Sequence, residues 1–215
     1  MAQTTQSVNE EALIREDWYS VYIMGRKAGM MRSTLVSRRQ NGKITFETLT
    51  SLRMTARRQA AVLEVSQENS IIEDEDGNLI EFRVVIQEMK SRRYVIGKVE
   101  NGELLSYSGS SPEPVWSRYP LDKAAKCPAW MDRNMRRQGF SEGRCMEVAA
   151  WMPEIDHTRP LRTQIEFIRD EDVEIFGGRR KLHRVETTSE GMKGIKIISW
   201  YDDNGTMWRN ETGGF

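Results

Sequence analysis

Residue pairs that force a chain to reverse recur along this sequence: Asn41-Gly42, Asp76-Gly77, Asn101-Gly102, Gly177-Gly178 and Asn204-Gly205. Asn-Gly and Asp-Gly supply the positive φ angles of tight hairpin turns, so each marks a reversal between neighbouring strands. Between the turns the residues alternate. Ile44, Phe46, Thr48 and Thr50 are interleaved with Lys43, Thr45 and Glu47, and Ile80, Phe82, Val84 and Ile86 with Glu81, Arg83 and Gln87. A period of two places one set of side chains in a core and the other in water. A chain punctuated in this way folds as an antiparallel β protein, not as a helical bundle or a parallel α/β sheet.

The length of 215 residues suits one β domain with a sizeable core. The 32 basic and 32 acidic residues cancel, which excludes attraction of the whole surface to nucleic acid or an anionic membrane and leaves only local patches. Five Arg-Arg pairs (Arg38-Arg39, Arg57-Arg58, Arg92-Arg93, Arg136-Arg137 and Arg179-Arg180) read as solvated strand edges and turns, because neighbours on a strand point to opposite faces. No nucleic-acid partner is expected. No run approaches the roughly 20 apolar residues of a membrane helix, so no transmembrane segment is expected. Residues 1–10, with Ala2-Gln3-Thr4-Thr5-Gln6-Ser7, read as a disordered polar tail, as in a mature secreted chain whose signal is replaced by Met1. A periplasmic or secreted setting is the corresponding expectation. Cys127 and Cys145 are either one disulfide or two buried thiols.

A single domain over residues 11–215 is expected to open with a short lead-in helix at Asn9 to Asp17. A hairpin of Trp18 to Met24 with Met30 to Val36 follows, around a turn at Gly25 to Gly29. A meander continues through Arg57 to Gln67, Leu79 to Lys90, Arg92 to Glu100 and Glu103 to Ser108. The rhythm breaks between Gly109 and Gly143, where Leu121 to Gln138 fits a helix interrupted near Pro128 and closed by Gly139. Strands resume at Arg144 to Met152, Leu161 to Arg169, Val173 to Phe176, Arg180 to Ser189, Lys193 to Tyr201 and Thr206 to Thr212. The expected fold is mainly β: a large, curved antiparallel meander sheet, or half-barrel, with the helix at 121–138 on its concave face.

Four groups of residues carry a family resemblance. They are the opening Trp18-Tyr19-Ser20-Val21-Tyr22 with Gly25, Lys27 and Gly29; the helix followed by Gly139 and Gly143; Trp151-Met152-Pro153; and Ser199-Trp200-Tyr201-Asp202-Asp203-Asn204-Gly205 before Glu211. Their order resembles the N-terminal β domain found ahead of transglutaminase-like domains in bacterial secreted proteins. Such domains look like the half-barrel of bacterial lipoprotein carriers, in which a curved sheet wraps a helix around an apolar cavity. The resemblance implies that any catalytic Cys, His and Asp belong to a transglutaminase-like partner domain beyond Phe215, and that none is carried by this chain.

The chemistry-bearing residues form no strong constellation. The nearest nucleophilic set is Cys127 or Cys145 with His157 or His183 and Asp156, with no nucleophile turn around either cysteine. His157 and His183 lie far apart in sequence, and the cysteines lack the close spacing of a zinc site. Glu73, Asp74, Glu75 and Asp76 lack the oxygen spacing of a calcium loop and read as a solvated turn. No cofactor, metal or catalytic residue is expected. The 12 methionines suit either core filling or an adaptable groove for an acyl chain or peptide. Phe46, Phe82, Val84, Trp130, Met131, Met135 and Ile165 are the expected lining of such a groove. The leading functional reading is a non-catalytic module that binds a partner domain, a peptide or an apolar ligand. A Cys-dependent hydrolase and a lipid or lipoprotein carrier are the alternatives.

Overall fold

The computed structural model describes residues 10–40, 42–58, 61–175 and 177–212. Residues 1–9 of the expected tail, Asn41, Phe176 and the closing Gly213-Gly214-Phe215 lie outside the described residues. The chain is an antiparallel β protein whose strands form two ladders. The first ladder is a meander in chain order: β1 (Glu10–Ile23), β2 (Arg26–Gln40), β3 (Lys43–Arg58), β4 (Ala61–Asp74), β5 (Leu79–Glu88), β6 (Ser91–Glu100), β7 (Glu103–Gly109) and β8 (Ser117–Pro120). A helix, α1 (Pro128–Gln138), follows. The second ladder runs β13-β12-β11-β10-β9, built from β9 (Cys145–Ala150), β10 (Leu161–Ile175), β11 (Gly178–Ser189), β12 (Lys196–Tyr201) and β13 (Met207–Thr212).

Several boundaries differ from those read in the sequence. The described part of the expected lead-in helix, Glu10 to Asp17, is the first half of β1, and from Arg15 the strand alternates, with Arg15, Asp17, Tyr19 and Val21 half-buried and the residues between them exposed. That period of two, with pairing to β2 from Glu10 to Ile23, overrides the short helical pattern. The first turn is shorter than expected. Ile23 pairs with Arg26 around Met24 and Gly25, whose φ values of 49° and 76° suit a two-residue hairpin turn of the primed type. Arg26 to Gly29 therefore belong to β2. The expected strand at Arg57 to Gln67 spans the reversal between β3 and β4, and the two segments expected at 161–169 and 173–176 are one strand, β10.

The helix begins only at Pro128. Proline suits the first helical position because its missing N–H has no partner there in any helix. Gly139, at φ 70°, ends the helix, with its N–H donated to Met135 O. The preceding Lys126 bridges in parallel to Ala150 of β9, linking the two ladders. The main core lies where they meet: Phe82, Val84, Val95 and Leu104 of the first ladder pack with Ala125, Cys127 and Trp151. A smaller cluster of Val173, Leu182 and Trp200 lies within the second ladder.

Candidate functional site

An open concavity lies between the end of α1 and the second ladder. Past Gly139 the chain lays Phe140 across β10, β11 and β12. Its ring stacks on His183 at 4.5 Å and on Tyr201 at 5.7 Å, and tilts against Phe167 at 6.1 Å. The following turn is tied to β10 in both directions, since Gly143 N–H donates to Phe167 O and Phe167 N–H to Arg144 O. Met135, Phe140, Met146, Ile165, Phe167 and Val185 then line an open cleft, 340 Å³ with the solvent at its mouth included, beside exposed Gln138 and Arg144. Asn134 Nδ2 lies 3.2 Å from Met146 Sδ and holds that side chain to the helix.

His183 braces the cleft from behind. Nδ1 is 2.8 Å from Asp170 Oδ1 and Nε2 is 2.8 Å from Asp203 Oδ1, so both ring nitrogens face carboxylate oxygens. Hydrogen bonds from Lys181 and His183 hold the Asp170 carboxyl below its ordinary range. The ring is a positioned plate under Phe140, with neither nitrogen open to a reacting group.

The residues expected to line a groove are not gathered in one place. Met135 and Ile165 line the cleft. Phe82 and Val84 are buried in the main core. Phe46 lies beneath the Arg133 guanidinium, 3.9 Å from its ring centre. Trp130 packs on Gly77 with Lys126 Nζ 5.5 Å above its ring, and Met131 is half-buried on the helix. Met146 belongs to the methionines that suit an adaptable groove, whereas Phe140, Phe167 and Val185 carry no such signal, because no local pattern reveals that a residue after a helix cap will lie across three distant strands.

The other departure is Glu73. Read as part of a solvated turn, it is fully buried at the end of β4. Its Oε2 accepts the Ala129 N–H at 2.9 Å, and the Trp130 N–H adds a second backbone hydrogen bond. Arg133 lies 3.5 Å from Oε1. The N-cap residue of α1 is Cys127, which makes no side-chain capping bond, so a carboxyl from a distant strand does that work. Burial pushes Glu73 up to about 7, opposed by the helix N–H groups and Arg133. The sequence carried two faint signals: Glu73 shares a strand face with Ile71, and the helix lacks a capping residue of its own.

The nucleophilic candidates do not assemble. Cys127 and Cys145 are free thiols, the first buried and the second exposed, so neither alternative of a disulfide or two buried thiols describes them. Burial, reinforced by Glu73 and Asp74, pushes the Cys127 thiol up, away from the thiolate that a nucleophile requires. His157 Nδ1 lies 2.8 Å from Ser106 Oγ, but Ser106 is fully buried, and its hydroxyl is also 3.2 Å from Ile96 O. Asp156 is bound to Thr158 and Arg159 instead of to the imidazole. Among the described residues no group of three or more His, Cys, Asp or Glu could hold a metal ion, and no helix is long and apolar enough to cross a membrane.

Neither a family model nor a curated protein matches the chain. Among solved structures, it is similar to a β-barrel-like protein of domain of unknown function DUF1849 from Brucella abortus, with 16% identity, a TM-score of 0.55, and 94% of this chain and 90% of that one covered. It is also similar to a DUF1089 family protein from Pseudomonas aeruginosa, with 14% identity, a TM-score of 0.47, and 92% and 97% covered. The first likeness supports the barrel-like β fold and nothing about activity; the second is too distant to add to it.

Proposed function

We propose that this chain is a non-catalytic binding module that receives an apolar side chain of a partner polypeptide in the cleft beside Phe140. The carrying observation is the cleft itself: apolar, open on one side, and held in shape by the Phe140 stack and the His183 brace. The cleft is shallow and open, its 340 Å³ including the solvent at its mouth, so it suits the tip of one apolar side chain and not a whole lipid. Met135 and Met146 suit a partner of variable shape. The enclosure of Ser106 and Cys127 supports the non-catalytic part of this reading over a Cys-dependent hydrolase. A periplasmic or secreted setting and a transglutaminase-like partner belong to the same proposal, supported by the resemblance of the strand motifs alone.

The test is a titration with the fluorescent apolar dye anilinonaphthalene sulfonate, competed by N-acetyl-leucinamide. Saturable binding at one site is expected. It should be lost in Ile165→Asp and Met146→Asp and kept in Trp18→Ala, which lies on β1; binding that ignores Ile165 and Met146 would place the site elsewhere. Thiol titration addresses the hydrolase. Cys145 should react in the native protein and Cys127 only after unfolding, whereas rapid native reaction of Cys127 would restore the enzyme reading.

A further inference from the structure

Strand register fixes where three hairpin tips lie. Val21 pairs with Gly29, Gly29 with Met54, Met54 with Val65, Val65 with Glu88 and Glu88 with Ser91. This row crosses six strands, and the β1–β2, β3–β4 and β5–β6 connections all lie beyond it, at one end of the sheet. The Met89 N–H donates to Glu64 O at 3.0 Å and ties the third tip to the second.

Two residues at this end are costly for a turn that only faces water. Met24 and Met89 hold φ values of 49° and 50°, in the left-handed region that favours glycine and asparagine. Their side chains are 88% and 65% exposed. At the opposite end the β6–β7 turn needs the same backbone and uses Asn101, at φ 53°. Trp18, Tyr22, Val62 and Leu63 add exposed apolar surface on the strands behind the tips.

The same end is cationic. Arg26, Lys27, Arg53, Lys90, Arg92 and Arg93 are exposed, against exposed Glu64 and Glu88. Among the described residues none of the six pairs with a carboxylate, and only Glu64 and Glu88 are exposed among them to offset their charge. A neutral chain has concentrated unpaired positive charge around protruding methionines. Aliphatic tips ringed by Lys and Arg, with Tyr22 next to the first tip, match the chemistry of an anionic lipid surface: an apolar boundary beneath phosphates, with aromatic rings at headgroup level. A polynucleotide would take the charge but has no use for exposed aliphatic tips.

We propose that these three tips dock the protein on an anionic phospholipid surface, with Met24 and Met89 entering the headgroup boundary and the surrounding Arg and Lys side chains binding lipid phosphates. The site is separate from the cleft beside Phe140 and does not depend on its occupant.

The experiment is co-sedimentation of the whole chain with vesicles of phosphatidylcholine alone or mixed with phosphatidylglycerol, at low and high salt. Binding to the anionic vesicles only, weakened by salt, is expected. Met24→Asp with Met89→Asp, and separately Arg26→Glu with Lys27→Glu, should each weaken it by about tenfold or more. Asn101→Asp at the opposite end should bind like the wild type, and circular dichroism should show all variants folded. No sedimentation with anionic vesicles, equal sedimentation with neutral ones, or equal loss in Asn101→Asp would overturn the proposal. So would an unchanged methionine double variant together with equally tight retention on single-stranded DNA, which would mark a general polyanion site.

Discussion

The two ends of the eight-stranded sheet are stabilised by different means. At the end that carries the Asp76-Gly77 and Asn101-Gly102 turns, tertiary structure closes over the strands: Glu73 caps α1, Trp130 covers Gly77, and Lys126 Nζ donates to Asp76 O at 2.7 Å. Two exposed cations there are paired, Lys98 with Glu100 and Arg118 with Glu103. At the tip end the same strands run on beyond their core, held by ladder hydrogen bonds and carrying unpaired cations. Burial constrains Glu73, Gly77 and Trp130 at the first end, and the tip residues Met24 and Met89 at the second carry no such constraint.

The largest expected effect measures that contrast directly. Phe82 is 2% exposed and its ring fills the space over Gly97, so closely that a Cβ on Gly97 would lie 2.2 Å from Phe82 Cζ. Phe82→Ala should destabilise the protein by about 3 to 5 kcal/mol, as truncation of a buried aromatic does. Leu63→Ala, at the tip end and 43% exposed, should cost less than about 0.5 kcal/mol. Urea unfolding of the two variants decides; similar losses would mean that the tip end has a core of its own.

Glycines offer a second comparison at matched backbone. Gly77 and Gly25 both sit at positive φ, 82° and 76°. A Cβ on Gly77 would lie 2.4 Å from the Trp130 Cβ, which sits at the root of the side chain and cannot swing away, whereas one on Gly25 would meet nothing within 4 Å. Gly77→Ala should therefore cost about 2 to 4 kcal/mol, backbone strain plus displaced helix, and Gly25→Ala about 1 kcal/mol from backbone alone. Equal costs would show that α1 follows the turn without resistance.

Glu73 makes the capped end sensitive to pH. Its folded carboxyl titrates at about 7 against an ordinary value of 4.5, so the folded state holds the proton more tightly. The associated stability is complete below about 4.5 and is lost as pH rises through 7, a fall of about 3 kcal/mol. His157 works in the opposite sense nearby, because burial lowers its value and its contribution is lost as pH falls. The difference between wild type and Glu73→Gln isolates the carboxyl. Unfolding measured from pH 4.5 to 8 should show a decline in wild type that the glutamine variant lacks; parallel curves would place the proton elsewhere.

How much of this could be read in advance follows the range of the interactions. Asn101-Gly102 announced its hairpin because the turn chemistry is local, and the Trp18–Val36 hairpin was visible from its alternation. Its turn was misplaced because Met24 occupies a position where asparagine or glycine is the readable signal. The split into two ladders was hidden in the segment between Pro112 and Gly139, where one bridge, Lys126 to Ala150, joins what the meander leaves apart. Met135 and Ile165 were legible as apolar positions on a helix and a strand, but Phe140 joins them only through stacking across β10 to β12. Glu73 was read as solvated because it adjoins Asp74, Glu75 and Asp76, and only the arrival of α1 more than fifty residues later buries it.

The smallest expected effect is the most pointed test of the free end. Met24 and Met89 occupy left-handed backbone that asparagine adopts at less cost, and their side chains have no core to lose. Met24→Asn and Met89→Asn should each leave stability unchanged or raise it by about 0.5 kcal/mol, read as a small upward shift of the urea midpoint. Such a gain would show that folding does not require methionine at either position. If these tips meet a lipid surface, the variants that gain stability should lose vesicle binding. If they lose stability instead, the methionines pack against something at the tip end, and the two ends are more alike than their exposures indicate.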